Sequence, residues 1–346
     1  MTGSLEELDI NYKHFLDKSV ILFGESGSGK STVIISILKE LQPHCDQIIV
    51  VSPSDRTNKT YSSGIVPLPC IHYRINEKLL NDIWERQEAL GTVYTKANNF
   101  DILKKLYERL NIEHINKIIL DVQRKRREYE DEIRSQYSDE STIAEKIDEI
   151  SSDFKKLTVL IYKRYISENT SRLSRMNLSD EERYSLKYLN LNPRLVLIFD
   201  DCSAELKRFR SHKVIQELFY QGRWSFITTL IACHSDKNLD SELRKNAFVN
   251  FYTQEKCAHA YFHRKTNDFD VEDRKQADRN CKIAFSHTAK HQKLIWMRIE
   301  NKFYRYTAKK YPNFQFGSPI INEFCKMIQN DGVCISSDNK FLDNFT

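Results

Sequence analysis

Val20-Ile21-Leu22-Phe23-Gly24-Glu25-Ser26-Gly27-Ser28-Gly29-Lys30-Ser31-Thr32 joins a strand, a phosphate loop and a helix without a break. Four apolar residues rich in β-formers run into a glycine-rich turn. A helical pattern then starts at Lys30 and is carried by Val33, Ile34, Ile37, Leu38 and Leu41. The stretch fits G-x-x-x-x-G-K-[ST] at every fixed position. Gly24, Gly27 and Gly29 permit positive φ, so successive N–H groups can turn inward around phosphate oxygens. The helix N-terminus behind them adds roughly half a positive charge. Lys30 is placed to reach β/γ-phosphates, and the Ser31 hydroxyl to ligate Mg²⁺. A chance match in a surface turn would lack the strand before it and the periodic helix after it. The expected nucleotide cradle is Gly24, Glu25, Ser26, Gly27, Ser28, Gly29, Lys30, Ser31 and Thr32.

Composition bounds the rest. The 346 residues are long for one domain and short for three, and 40% hydrophobic content supports a sizeable core. No apolar run approaches the ~18–20 residues of a membrane span, and no signal-peptide core opens the chain. Eight cysteines without a C-x-x-C pair read as reduced, intracellular thiols. A net charge of +5 and a pI near 8.6 permit a nucleic-acid partner without demanding one.

Ahead of the P-loop strand, residues 1–18 read as a short leading helix or arm. Gln47–Val51 is a second buried strand ending in Ser52-Pro53-Ser54-Asp55, turn chemistry at the carboxyl edge of an open sheet. Residues 76–192 then change character: glycine almost vanishes and helix formers dominate. Ile143, Ile147, Ile150, Phe154, Leu157 and Ile161 step by 4, 3, 4, 3, 4, one seam of a helix at the coiled-coil period. Thr142-x-x-Glu145 and Ser179-x-x-Glu182 read as capping boxes. Residues 112–137 and the seam helix form an expected antiparallel hairpin turning near 138–141. Its basic run Arg124–Arg127 offers a nucleic-acid contact or a solvated face, and the second reading is favoured because Glu128-Tyr-Glu-Asp-Glu132 comes directly after it.

The core resumes at Leu195-Val-Leu-Ile-Phe199-Asp200-Asp201, which has the form of a Walker B strand. Asp200 would hold Mg²⁺ through water, and Asp201 would orient or deprotonate the attacking water. The alternative for Asp201 is a loop-starting acid or helix cap. Phe226–Ala232 is the next buried strand, tipped by Cys233-His234-Ser235. His234 is a candidate γ-phosphate sensor or an ordinary strand-end histidine. Phe248–Tyr252 is a further strand. Lys293–Arg298 and Lys302–Tyr306 read as a hairpin whose basic and aromatic residues interleave, as in nucleic-acid contacts or in an amphipathic sheet edge. Cys257-x-His259-x₃-His263 and Cys281-x₅-His287-x₃-His291 offer zinc-like spacings but lack a C-x₂-C knuckle, so no zinc is expected.

These elements order into α/β architecture, a P-loop NTPase of the additional-strand (RecA/FtsK-like) type. A central, mostly parallel sheet flanked by helices carries a long helical insertion and a C-terminal β-hairpin. The expected division is 1–75 and 193–320 for the ATPase core, 76–192 for the insertion and 321–346 for a tail.

With Gly24–Thr32, Leu195–Asp201 and Gly222-Arg-Trp-x-x-Ile-x-x-x-x-x-Ala-Cys-His234 assembled, the chain resembles the DNA-packaging ATPases of nucleocytoplasmic large DNA viruses. The poxvirus-type packaging ATPase, within the FtsK–HerA superfamily, is the example. His287-Thr-Ala-Lys290, Leu294–Arg298, Phe303–Tyr306 and Phe314-x-Phe-Gly317 resemble that family's C-terminal part. The resemblance covers roughly residues 15–75 and 192–320 and leaves out the insertion. It implies an ATP- and Mg²⁺-dependent motor, working as a homo-oligomeric ring, that threads double-stranded DNA into a capsid without sequence preference. A capsid or portal partner is implied, as are the host cytoplasm at the viral factory and the virion. It also implies an arginine supplied in trans, with Arg223 the first candidate and Arg244 the second. Two positions depart from the family: His234 stands where an amide is common, and Asp201 where the superfamily has Glu. A different class of reading is a nucleotide-dependent switch or scaffold that binds a protein through the helical insertion. A small-molecule kinase fits less well, because Asp200-Asp201 and Arg223 suit hydrolysis better than transfer.

Overall fold

In the computed structural model, which describes residues 5–111, 113–222, 224–286 and 292–330, the strands are β1 Ser19–Phe23, β2 Gln47–Val51, β3 Ile71–His72, β4 Leu195–Asp200, β5 Ile227–Cys233, β6 Val249–Tyr252, β7 Gln292–Met297 and β8 Lys302–Thr307. They form one sheet in the order β3-β2-β4-β5-β1-β6-β7-β8. The first six are parallel, and β7 and β8 close the edge antiparallel. This is the additional-strand arrangement, because β5 stands between the P-loop strand β1 and the Asp200 strand β4. The expected fold class is borne out.

The helices in chain order are α1 Lys30–Leu41, α2 Asp55–Asn58, α3 Glu77–Ala97, α4 Phe100–Leu110, α5 Glu113–Gln136, α6 Glu140–Glu168, α7 Thr170–Leu173, α8 Asp180–Tyr188, α9 Ser203–Arg208, α10 Lys213–Tyr220, α11 Ser241–Asn246, α12 Glu255–Phe262, α13 Val271–Ser286 and α14 Pro319–Asn330. The chain divides into two compact units, one of Met1–Glu88 with Pro193–Thr346 and one of Ala89–Asn192.

In the first unit the sheet is buried on both faces, which is why β1, β4 and β5 read as unbroken apolar runs. Alternate residues feed two cores: Ile21 and Phe23 pack on one side of β1, and Val20 and Leu22 on the other. Leu79, Leu80, Ile83 and Trp84 of α3 belong to the first of these cores. The unit therefore extends to residue 88 and not to 75; an amphipathic helix that continues across a boundary leaves no mark in the sequence. The leading residues form an arm. Leu8 N donates to Arg305 O at 2.8 Å and Arg305 N to Glu6 O at 2.8 Å, so the arm lies along β8. Its one helical piece among the described residues is a 3₁₀ turn at Tyr12–His14. Trp296, Tyr304 and Tyr306 are buried in the sheet's cores. Of the two readings of this hairpin the amphipathic edge holds, because rings packed inside cannot stack on bases.

The second unit is helical. Leu103, Leu106, Leu110, Ile119, Tyr162, Ile166 and Leu173 form its core. α5 and α6 make the hairpin, which turns at residues 137–139. The expected seam is shallow: its members are half-buried, and Leu157 is 43% exposed. The N-cap of α6 is Asp139 and not Thr142; the Asp139 carboxylate accepts from the Thr142 N–H at 2.8 Å and from its hydroxyl at 2.5 Å. Aspartate outcompetes threonine because it brings a full negative charge to the helix N-terminus. Ser179 and Glu182 do form a capping box. Glu182, only 3% exposed, also accepts a bidentate pair from Arg109 at 2.6 and 2.9 Å. Burial pushes the Glu182 carboxyl up, but Arg109 and the Ser179 N–H outweigh it and hold the pKa below the usual range.

Removing Arg109 strands that buried charge. Arg109→Ala should cost the second unit about 2 kcal/mol, less than a fully buried pair because Arg109 is partly exposed. Arg124→Ala, which breaks only solvent-screened pairs with Asp121 and Glu128, should have a much smaller effect. Hydrogen exchange of the α4 and α8 amides reads both; equal effects would contradict the assigned role of Arg109.

Candidate nucleotide site

The P-loop leaves β1 at the carboxyl edge of the sheet. Gly24 N donates to Cys233 O at 3.1 Å, and Thr253 N donates to Phe23 O at 2.9 Å, so the β5 and β6 ladders hold both sides of the exit. Gly24 is there for space: a Cβ would stand 1.7 Å from Thr253 Oγ1. Gly27 is there for conformation, with φ +73° and nothing within 4 Å of an added Cβ. The Thr253 hydroxyl lies 3.1 Å from Phe23 O and 2.8 Å from the Ser28 hydroxyl. Donating to the first, it accepts from the second.

Lys30, at the first position of α1, donates to Gly24 O at 2.7 Å and Glu25 O at 3.1 Å. An ammonium has three protons, so one donor remains for a phosphate oxygen. Glu25 faces outward and pairs with Lys256.

Asp200 ends β4 in a buried position, and the Tyr61 hydroxyl donates to its Oδ2 at 2.8 Å. Burial raises the Asp200 pKa to about 6, opposed by the Tyr61 hydrogen bond and the Lys30 charge and helped by Asp201. Tyr61 is itself fully buried, its pKa raised well above normal by burial and then by Asp200. It is positioned by Asp55, whose carboxylate accepts from Tyr61 N at 2.6 Å and Ser62 N at 3.2 Å. The Ser52–Asp55 turn therefore serves the site through Tyr61, a residue whose sequence context reads only as loop.

Asp201 adopts φ +58°, a left-handed conformation that Asp tolerates better than most residues. Its Oδ1 lies 3.1 Å from His234 Nε2 at the tip of β5, without hydrogen-bond alignment. Lys30, Asp200, Asp201 and His234 thus converge at one edge. The arrangement offers a cation for phosphate, a buried carboxylate for a metal, and a partly exposed carboxylate able to take a proton from water.

Two of the expected arginines are not in this group. Arg223 lies outside the described residues. Arg244 is 4% exposed, bonded to the Asp236 carbonyl and, at 3.1 Å, to the Thr266 hydroxyl. A guanidinium held inside its own chain does not reach a neighbouring subunit, so the trans role for Arg244 is corrected. It lines a cavity of about 260 Å³ with Lys207, Arg210, Lys237, Arg264 and one carboxylate, Asp240. Arg264 pairs with the buried Asp236, two residues past His234.

One further residue at the loop, Lys293 on β7, carries no local sequence signal. It is 2% exposed, and its ammonium donates to Ser28 O at 2.8 Å. It lies 3.4 Å from where a Cβ on Gly29 would stand. Burial pushes its pKa down to about 8. The P-loop is therefore backed by a second lysine.

The ABC transporter family model, a P-loop ATPase family, matches residues 8–204, which takes in the P-loop and the Asp200 strand. The B354L protein of African swine fever virus is 33% identical over 357 residues, covering 99% of this chain and 96% of that protein. The chain is a P-loop ATPase and belongs to the viral B354L family. Its viral relatives agree with the resemblance read from the motifs. Among solved structures it is similar to B204, the DNA-packaging ATPase of Sulfolobus turreted icosahedral virus, at 12% identity and a TM-score of 0.39, covering 85% of this chain and 98% of that one. It is also similar to the plasmid coupling protein TrwB, at 11% identity and a TM-score of 0.38, covering 88% of each. No helix among the described residues is long and apolar enough to cross a membrane.

The depressed Lys293 pKa gives a signed pH dependence. Below about pH 8 the ammonium is charged and adds to the field that attracts phosphate; bound phosphate raises its pKa further. Nucleotide affinity should therefore decline as pH rises past about 8. In Lys293→Arg, which stays charged throughout, that decline should vanish, and Lys293→Met should bind weakly at every pH. Nucleotide titrations at pH 7 and pH 9 read the difference; identical profiles for wild type and Lys293→Arg would contradict the assignment.

Proposed function

We propose that this ATPase is a motor that moves double-stranded DNA, without sequence preference, into a viral capsid as a homo-oligomeric ring. The observation that carries the reading is the 3.1 Å approach of His234 to Asp201 beside the P-loop. A strand inserted between β1 and β4 brings a polar group to the second carboxylate, a coupling between hydrolysis and movement that simple phosphate transfer does not need.

In this reading Mg²⁺ is held by Ser31 and Asp200. The donor chemistry fits it: a hydroxyl and a hard carboxylate oxygen are the kind of oxygen ligands that would hold Mg²⁺ beside substrate phosphates. The raised Asp200 pKa is the mark of a carboxylate poorly solvated on its own. When bound, the ion would neutralise charge on the phosphates. Lys30 contacts the β/γ-phosphates, and Gly24–Thr32 cradle them. Asp201 orients the water and takes its proton, and His234 senses whether γ-phosphate is present. Arg223 is the arginine offered to a neighbouring subunit.

The cargo rests on the family resemblance, with the cationic cavity of Lys207, Arg210, Lys237, Arg244 and Arg264 as support. This positive charge, joined to the segment after His234 through the Arg264–Asp236 pair, can link a polyanion to the catalytic edge. A capsid or portal protein is the partner this reading needs, and the viral factory in the host cytoplasm and the virion are where it would work. The switch reading keeps one specific support, the exposed Leu120, Leu157 and Leu160 on the α5–α6 hairpin.

The motor should hydrolyse ATP several-fold faster with long duplex DNA. DNA affinity should fall linearly on a log–log salt plot, and Lys207→Glu with Arg210→Glu should flatten that slope by about one to two counter-ions. Equal turnover with and without DNA in the assembled protein would sink the motor reading in favour of the switch.

A further inference from the structure

α12 and α13 pack against each other in the first unit. His259 and His263 stand one turn apart at the end of α12, their rings stacked with centroids 4.1 Å apart and planes at 15°. Facing them on α13 is Asp278. Both of its oxygens lie 3.0 Å from His263 Nε2, and Oδ1 lies 4.0 Å from His259 Nε2. One ligand atom from each of the three residues falls within 4.8 Å of the others.

We propose that His259, His263 and Asp278 form a zinc site that clips α12 to α13, with water as fourth ligand. Zinc takes imidazole nitrogen and carboxylate oxygen at ~2.0–2.2 Å, which puts neighbouring ligand atoms of a tetrahedron about 3.3 Å apart. The observed 3.0 and 4.0 Å separations bracket that value. Closing the site needs a small ring movement of His259, whose side chain is 60% exposed. Two borderline nitrogens with one oxygen suit zinc over Mg²⁺ or Ca²⁺, which prefer all-oxygen shells.

Two of the three residues of the motif Cys257-x-His259-x₃-His263 are thus used. Cys257 and Cys281 are outside the cluster. The third donor is instead an aspartate on another helix, which spacing within one segment cannot reveal. His287 and His291 lie outside the described residues.

The clip also has a place in the molecule. α12 comes directly after Thr253 and Gln254 and carries Lys256; these three contact the P-loop residues Gly24, Glu25 and Ser28. α13 packs on β7, the strand of Lys293. A metal between the two helices fastens together both segments that back the P-loop. The proposal is independent of the cargo.

The test uses nucleotide-free, fully reduced whole protein titrated with zinc chloride alone, followed by calorimetry and by thermal unfolding. One equivalent should bind at micromolar zinc and raise Tm, and the same micromolar concentration of Mg²⁺ should not displace it. His263→Ala and Asp278→Asn, both at accessible positions, should each weaken that equivalent by at least about 10-fold and remove the Tm rise. The proposal is overturned if wild type binds no zinc in this range. It is equally overturned if the equivalent survives in both variants, because the metal then sits on other ligands.

Discussion

The parallel pairing of β1 between β5 and β6 sets the geometry of the whole site. Phe23 stands in register with Cys233 on one side and Tyr252 on the other. The three strands therefore end together, and the segments beyond their ends emerge at one edge: Gly24–Gly29 after β1, His234 after β5, Thr253 after β6. β4 joins the same edge through β5, with Asp200 opposite Ala232. Side chains far apart in sequence become neighbours because their strands stop at the same level. Sliding β5 by one residue would turn its side chains to the opposite faces and take His234 away from Asp201.

This edge gathers charge where water is scarce, and the surrounding groups offset the cost. Asp200 is buried, and an unsatisfied buried acceptor costs about 1–3 kcal/mol. The Tyr61 hydroxyl supplies a donor, and Asp55 fixes Tyr61 by taking its backbone N–H. Lys30 directs two of its protons to loop carbonyls, and Lys293 supports the loop from β7 through Ser28. Both lysines favour phosphate at the loop, and burial disfavours the Lys293 charge until an anion arrives. The loop is thus poised for an anion, as the phosphates of a nucleotide are, and in the proposed function Asp200 would take the metal that accompanies them.

What was legible in the sequence was local. The P-loop declares itself because strand, turn and helix are contiguous. β2, β4 and β5 declare themselves as apolar runs, and the β7–β8 hairpin by its short connection. Tyr61, Thr253 and Lys293 were not legible, because their partners lie 139, 230 and 265 residues away. Only the folded sheet brings them together. β3 escaped because two residues leave no periodicity. Asp139 was missed as a cap because a nearer threonine offered the familiar spacing. Arg244 stands in the polar run Asp240–Asn246, and nothing local announces the Asp236 carbonyl and Thr266 hydroxyl that hold it inside.

In the proposed mechanism the carboxylates at the end of β4 divide the work, Asp200 for the metal and Asp201 for the water. The decisive measurement is single-turnover hydrolysis of ATP by Asp201→Asn protein, with nucleotide affinity determined in the same preparation. Affinity should stay close to wild type while hydrolysis slows by about 10²-fold or more. Hydrolysis at the wild-type rate with affinity intact would contradict that division.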